Sequence, residues 1–255
     1  MNAHRPTVQA RPSGLTRRGD AVSDGAAPSA ASPQYGCDPD AERTEGTMTV
    51  TFVRHGQSTG NASGLIVGTE PGPPLTDLGH EQADAAAERL SDESFDGVYA
   101  SSLYRTQQTA EPTAKARGLT VQILPGVAEI PAGTWKGTPE SDAFETYLVA
   151  PQQWIDGDTS ARIPGSISGD EFKARFDGAL ESVERNGDRN PVIFAHVASI
   201  MTWVLMSTDG DNNLFRDQPL RNTGTVVVKG SPTDGWELVK WDAAPAGLPA
   251  EEPAT

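Results

Sequence analysis

Apolar and polar positions follow two rhythms through the middle of this chain. Residues 48–53 read Met-Thr-Val-Thr-Phe-Val, short and rich in β-branched and aromatic side chains, which predicts a strand. Residues 75–90 change to a helical rhythm, with Thr76 as N-cap and Leu78, Ala85, Ala86 and Leu90 as the expected buried stripe. A short strand follows at 98–100, then a helix over 103–116 that Pro112 is expected to bend or end. Residues 121–124 predict a third strand. Phe172, Phe176, Leu180 and Val183 recur at helical spacing, so 169–186 reads as a helix with one apolar face. Pro191–Ala195 is a fourth strand, followed by His196 and a helix over 200–206. Strands at 225–228 and 236–241 close the series. Strands alternating with helices predict an α/β fold, a three-layer sandwich with a mostly parallel central sheet flanked by helices. In such sheets ligands bind outside the carboxyl ends of the strands.

The rhythm is missing at both ends. Residues 1–47 are rich in Ala, Pro, Gly, Ser and Arg, with almost no branched aliphatics. That composition cannot bury enough apolar surface to offset chain entropy, so a disordered extension is expected. Arg17-Arg18 and Gly36-Cys37 hint at a twin-arginine signal and a lipoprotein site, but no apolar segment accompanies either. A start of translation at Met48 is the other reading of this stretch. From about Asp242 the chain turns rich in Ala, Pro and Glu and reads as a loose tail over 242–255. The expected domain is therefore 48–241.

Charge narrows the partners. With 35 acidic against 20 basic side chains the chain carries a formal charge of −15, so its exterior should repel nucleic acid and anionic membrane surfaces. An anionic ligand then needs a local basic pocket. No apolar run approaches the roughly 20 residues that span a bilayer, and a cytoplasmic location is expected. The single cysteine, Cys37, allows no intramolecular disulfide.

Candidate chemistry gathers where strands end. Residues 48–53 run into Arg54-His55-Gly56, and Pro191–Ala195 runs into His196. If the two strands are parallel neighbours, both imidazoles lie at one sheet edge. The strand 98–100 leads to Ser101-Ser102, with Arg105 about one helical turn further on. Glu129 opens a Gly-rich loop after the third strand. Guanidinium groups match phosphoryl oxygens bidentately. A neutral imidazole is a good nucleophile toward phosphorus. A carboxyl group can protonate a leaving oxygen and then, as carboxylate, deprotonate water.

Four ordered segments carry a family resemblance. They are Arg54-His55-Gly56-Gln57-Ser58 with Asn61; Leu75-Thr76-x-x-Gly79-x-x-Gln82-Ala83; Ser101-Ser102-x-x-Arg105-x-x-Gln108-Thr109-Ala110; and Glu129-x-x-x-Gly133-x-Trp135-x-Gly137. Together they resemble the histidine phosphatase superfamily, which includes the cofactor-dependent phosphoglycerate mutases, over about residues 48–228. The resemblance implies a phosphoglycerate mutase-like fold and a phosphohistidine on His55. It implies Arg54, Arg105 and His196 around the transferring phosphoryl group, Asn61 as a phosphate or substrate contact, and Glu129 as proton donor. It implies a phosphorylated small-molecule substrate, no metal and no cofactor.

Several alternatives stay open on the residues themselves. Glu140, Asp142 and Glu145 compete with Glu129 as the acid, and Asn61 also suits a simple turn. Trp135 suits either the pocket or packing, whereas Trp154 and Trp203 read as core. Between Trp135 and Ile163 only Lys136 and Arg162 are basic, which favours hydrolysis over a mutase with its second phosphate site. Residues 138–168, with Tyr147, Trp154, Ile155 and Arg162, are the expected specificity insert. Val197 departs from the glycine that usually follows the second histidine of the family. A stiff β-branched residue there is expected to shift the loop amides or narrow the pocket, and it keeps a non-catalytic phosphoryl-ligand binder in play. The oligomeric state is not legible.

Overall fold

The structure, a computed structural model, describes residues 46–67 and 70–247. The expected extension over 1–47 lies outside these residues except for its last two, and so does the tail beyond 247. Six strands form one sheet: β1 (Met48–Arg54), β2 (Gly97–Ala100), β3 (Val121–Ile123), β4 (Pro191–Ala195), β5 (Thr225–Ser231) and β6 (Gly235–Asp242). Their order is β3-β2-β4-β1-β5-β6. The first four run parallel, while β5 and β6 add an antiparallel edge.

Alternation along the central strands explains why both faces are covered. Phe52 and Ile193 point into one core, and Val53, Val192 and Phe194 into the other. A strand buried on both faces must be apolar throughout, which is why β4 reads Pro-Val-Ile-Phe-Ala. On the larger side pack α4 (Val149–Ile155), α5 (Gly169–Arg185) and α6 (Val197–Ser207), following the short α1 (Thr59–Ala62). The Phe172, Phe176, Leu180, Val183 stripe of α5 is fully buried there. Phe176 stacks on Trp203 at 5.0 Å between ring centroids, and Trp154 stacks on Phe172 at 5.7 Å. Each such ring removed from water contributes about 1.5–3 kcal/mol. On the other side lie α2 (Asp77–Arg89) and α3 (Tyr104–Arg117), packed against each other. A last short helix, α7 (Leu214–Asp217), precedes β5.

Three expectations change. The α2 stripe is Gly79, Gln82, Ala83 and Ala86, closed by Leu90, with Leu78 and Ala85 only half-buried. The Thr76 cap holds, its Oγ1 accepting from the Gly79 amide at 3.0 Å. Pro112 does not end α3, which runs on to Arg117. A proline removes one intrahelical donor, and the buried Thr109, Ala110, Thr113 and Ala114 hold both halves in place. The chain beyond β6 stays on the fold to residue 247. The Ala243 carbonyl accepts from Arg221, and Ala246, fully buried, donates its amide to Thr223 Oγ1 at 2.9 Å.

Candidate active site

The site begins with strand register. Arg54 at the end of β1 pairs with Ala195 at the end of β4, and Ala100 at the end of β2 pairs with Phe194. The next residue on each strand is therefore His55, His196 or Ser101, three neighbours in a row at the carboxyl edge. The amides of His55 and Ser101 still bond to β4 carbonyls, at 3.0 and 3.2 Å.

The loop after β1 meets the first turn of α2 beneath them so closely that only glycine fits. A Cβ on Gly56 would lie 2.5 Å from the Gly79 carbonyl oxygen, and one on Gly79 would lie 2.0 Å from that of Gln57. The other motif residues tie the same loop down. Gln82 Oε1 accepts from the Gln57 amide at 2.7 Å, Thr109 Oγ1 from Gly56 at 3.0 Å, and Gln108 Oε1 from Leu75 at 2.9 Å.

Hydrogen bonds define the protonation of both imidazoles. His55 donates Nδ1–H to the Gly56 carbonyl at 2.7 Å. Its Nε2 accepts from Arg105 Nε at 3.0 Å, so that nitrogen carries the lone pair. Arg105 Nη2 donates to His196 Nδ1 at 3.0 Å, which leaves the His196 proton on Nε2, 2.8 Å from Ser101 Oγ. One guanidinium thus bridges both rings, whose centroids are 5.2 Å apart. Its Nη1 is buried with no hydrogen-bond partner. Burial, then the charges of Arg105 and Arg54, holds His55 well below the usual histidine range. Burial and Arg105 do the same to His196. Arg105 itself is pushed down to about 10, chiefly by burial, and stays protonated at neutral pH.

Glu129 sits at the start of α6. Its carboxylate accepts from the amides of Ser199 at 2.9 Å, Ile130 at 2.9 Å and Ala198 at 3.4 Å. These amides favour the anion, yet burial outweighs them and raises its pKa above the ordinary carboxylate value. Arg175 of α5 holds the backbone of this loop through the Ala128 carbonyl at 2.7 Å, and Tyr147 does so through that of Ile130 at 2.8 Å.

A cavity of about 310 Å³ opens here, lined by Arg54, His55, Asn61, Arg105 and Glu129. His196 does not line it and is fully buried behind Arg105. Asn61 serves the turn as well as the cavity, its Oδ1 capping the Ser58 amide at 3.1 Å. Tyr147 lines the cavity, and Trp154 and Ile155 belong to the core. Arg162 pairs with Glu171 on the surface, and Trp135 packs against the core. Among the competing acids Glu140 reaches the cavity, from an exposed position. Val197 needs no left-handed backbone, because it is the first residue of α6 and supplies an apolar wall. The next two amides, of Ala198 and Ser199, donate to Glu129.

Residues 221–224 escape the sequence reading. Asn222 Nδ2 holds the His55 carbonyl at 2.9 Å, and Thr223 receives Arg89 on its carbonyl while its amide bonds the Arg54 carbonyl at 3.0 Å. Thr223 has φ of 62°, costly for a β-branched residue by about 1–3 kcal/mol. An Asn-Thr-Gly turn is a faint signal for this role. The described residues contain no group of three or more His, Cys, Asp or Glu arranged to hold a metal, and no helix long and apolar enough to cross a membrane.

The two lowered histidines set a pH dependence of stability. The folded state keeps them neutral where the unfolded chain protonates them, so stability is complete above about pH 6.5 and falls as pH drops toward their folded values. Each contributes a slope of up to about 1.4 kcal/mol per pH unit. Thermal unfolding between pH 7.5 and 5 should show a falling midpoint, and His196→Asn should shallow the slope. Because the raised Glu129 works in the opposite direction, the decisive comparison is with the variant, and an unchanged slope in His196→Asn would contradict the lowered value of His196.

Residues 50–244 match the histidine phosphatase superfamily (branch 1). The PE-PGRS family protein PE_PGRS11 of Mycobacterium tuberculosis is 39% identical over 81% of this chain and 38% of its own length. The 2-carboxy-D-arabinitol-1-phosphatase of Triticum aestivum is 30% identical over 73% of this chain and 38% of its own. The chain therefore spans about two fifths of the length of these two curated relatives. A mycobacterial glucosyl-3-phosphoglycerate phosphatase, solved with VO3, superposes with a TM-score of 0.64 over 77% of this chain and all of its own, at 23% identity.

Proposed function

We propose that this chain, which belongs to the histidine phosphatase superfamily, hydrolyses phosphomonoesters of small molecules through a phosphohistidine on His55. The observation that carries this reading is the Arg105 bridge from a neutral His55 Nε2 to His196, at a cavity shared with the half-buried Glu129 carboxyl group.

His55 Nε2 attacks phosphorus in line, and the phosphorus–ester oxygen bond breaks. Glu129, whose pKa burial raises, gives its proton to that oxygen, and the alcohol leaves. Water then attacks the phosphohistidine, losing a proton to the Glu129 carboxylate as the P–N bond breaks and inorganic phosphate departs. Arg54 and Arg105 carry the charge that spreads over the equatorial oxygens. His196 acts through Arg105, orienting its guanidinium and remaining neutral so that the site keeps its cations without a further charge. Asn61, with its oxygen engaged by Ser58, offers its NH2 group to a phosphoryl oxygen.

No metal enters this chemistry, so a strong chelator should leave the rate on an aryl phosphate unchanged. A rate abolished by chelation and restored by one divalent ion would refute it. A coupled mutase assay with a bisphosphoglycerate primer should run far below the hydrolase rate; the reverse ratio would make the chain a mutase. A cytoplasmic location goes with a metabolite substrate and belongs to the same reading.

A further inference from the structure

The cavity has two chemically different halves. Its floor is Arg54, His55, Arg105 and Glu129. Its wall includes Ile66, Phe144, Leu148, Met201, Phe215 and Leu220, drawn from separate segments of the chain. Met201, Phe215 and Leu220 are almost wholly buried and belong to the main core, so this part of the wall is built into the fold.

The outer part is held as firmly. Loop 64–66 pairs with loop 137–140 through the Ile66 amide to the Thr138 carbonyl at 2.9 Å, the Gly137 amide to Ile66 at 2.9 Å and the Glu140 amide to Gly64 at 2.8 Å. Phe144 meets Phe215 edge to face, with centroids 5.8 Å apart and planes at 85°, and Arg216 lies over the Phe144 ring at 5.1 Å. Away from the floor the charged lining residues are Glu140 and Arg221, of opposite sign.

Such a wall discriminates. A glycerate or sugar phosphate carries a carboxylate or hydroxyls on its carbons, and laying them on this wall removes water without supplying partners, at about tenfold or more in affinity for each group. An apolar group gains instead about fourfold per buried methylene. We infer that the substrate is the monophosphate ester of an apolar alcohol or phenol, its phosphoryl group on the arginine floor and its hydrocarbon part against the Phe144–Phe215 wall. This rests on the hydrolase reading above and adds the substrate class. A polar side chamber of about 200 Å³, lined by Asn61, Gln82, Asn222, Glu140, Arg54 and Arg221 with Pro245, adjoins the floor and is where a polyol phosphate would extend instead.

The test is kcat/KM for straight-chain alkyl monophosphates from methyl to hexyl, beside 3-phosphoglycerate, a sugar phosphate and an aryl phosphate. The value should climb about fourfold per methylene until the wall is covered. Hexyl phosphate should exceed methyl phosphate, 3-phosphoglycerate and the sugar phosphate by about a hundredfold or more. Leu148→Gln and Phe144→Ser, both at half-buried positions, should each cut the hexyl-to-methyl ratio about tenfold, so either variant reports if the other does not fold. A flat alkyl series, or a better rate on the glycerate or sugar ester, overturns the substrate class while leaving the hydrolase intact. No turnover of any ester, the aryl phosphate included, overturns both.

Discussion

Replacing His55 with Ala should lower kcat/KM for an aryl phosphate by about ten-thousandfold or more. The variant keeps Arg54 and Arg105, so the phosphoryl group still finds its cations, but attack must come from water instead of a nitrogen held at the carboxyl end of β1. The neutral state of that nitrogen matters as much as its position. Burial and two guanidinium groups keep His55 unprotonated well below pH 6.5, so the wild-type rate should not collapse between pH 7.5 and 6.5 for want of free imidazole. Labelling with radioactive phosphate gives a second measurement. Acid-labile, alkali-stable label should appear on the wild type and vanish from His55→Ala. Circular dichroism guards against trivial loss, because the substitution strands Arg105 Nε without its acceptor and costs about 1–3 kcal/mol. A folded variant with the wild-type rate would remove His55 from the mechanism. A wild type that neither labels nor turns over, yet binds phosphate, would make the chain a binder.

What the sequence revealed follows a physical division. β1 and β4 are buried on both faces, so their residues must be apolar, and the sudden polarity of Arg54-His55 and His196 marks the sheet edge. The α5 stripe was equally plain because one face is buried and the other is not. Residues 138–168 gave no such rhythm. They fold as a 3-10 segment, a short helix and turns, whose apolar residues are spaced by the shape of a cavity and not by a period. Phe144 therefore could not be told apart from its neighbours, and of the four residues named there, Tyr147, Trp154, Ile155 and Arg162, Tyr147 alone lines the cavity. Arg175 lies on the polar side of α5, and nothing local says that its guanidinium reaches the loop carrying Glu129. Thr223 is harder still, since a threonine does not announce a left-handed backbone. Val197 shows the converse error: the residue type suggested strain, but the helix starts at Val197, three residues before the expected position 200, so no left-handed backbone is needed there.

Glu129→Gln should separate substrates by their leaving groups. The amide keeps the size of the side chain and can still accept from Ser199 and Ile130, so the start of α6 retains its partner. What it loses is the proton to give away. An alkoxide leaves poorly without that proton, and kcat/KM for an alkyl phosphate should fall about 10²- to 10⁴-fold. A weakly basic phenolate leaves unaided, so kcat/KM for a nitrophenyl phosphate should fall less than about tenfold. Its turnover should nevertheless slow, because the second step needs the carboxylate to take a proton from water, and the phosphoenzyme should then accumulate after an initial burst. The pH profile carries the same signature. The raised pKa of Glu129 sets the alkaline limb of kcat/KM for alkyl esters, the acid being lost as pH climbs through it, and that limb should disappear in the variant. Glu140, the other carboxylate on the cavity, is exposed and has no amides of α6 to place it, so Glu140→Gln should leave the leaving-group dependence unchanged. Equal losses on alkyl and aryl esters in Glu129→Gln would mean that the carboxyl group shapes the loop and does not deliver a proton. A leaving-group effect in Glu140→Gln alone would move the acid to the cavity rim.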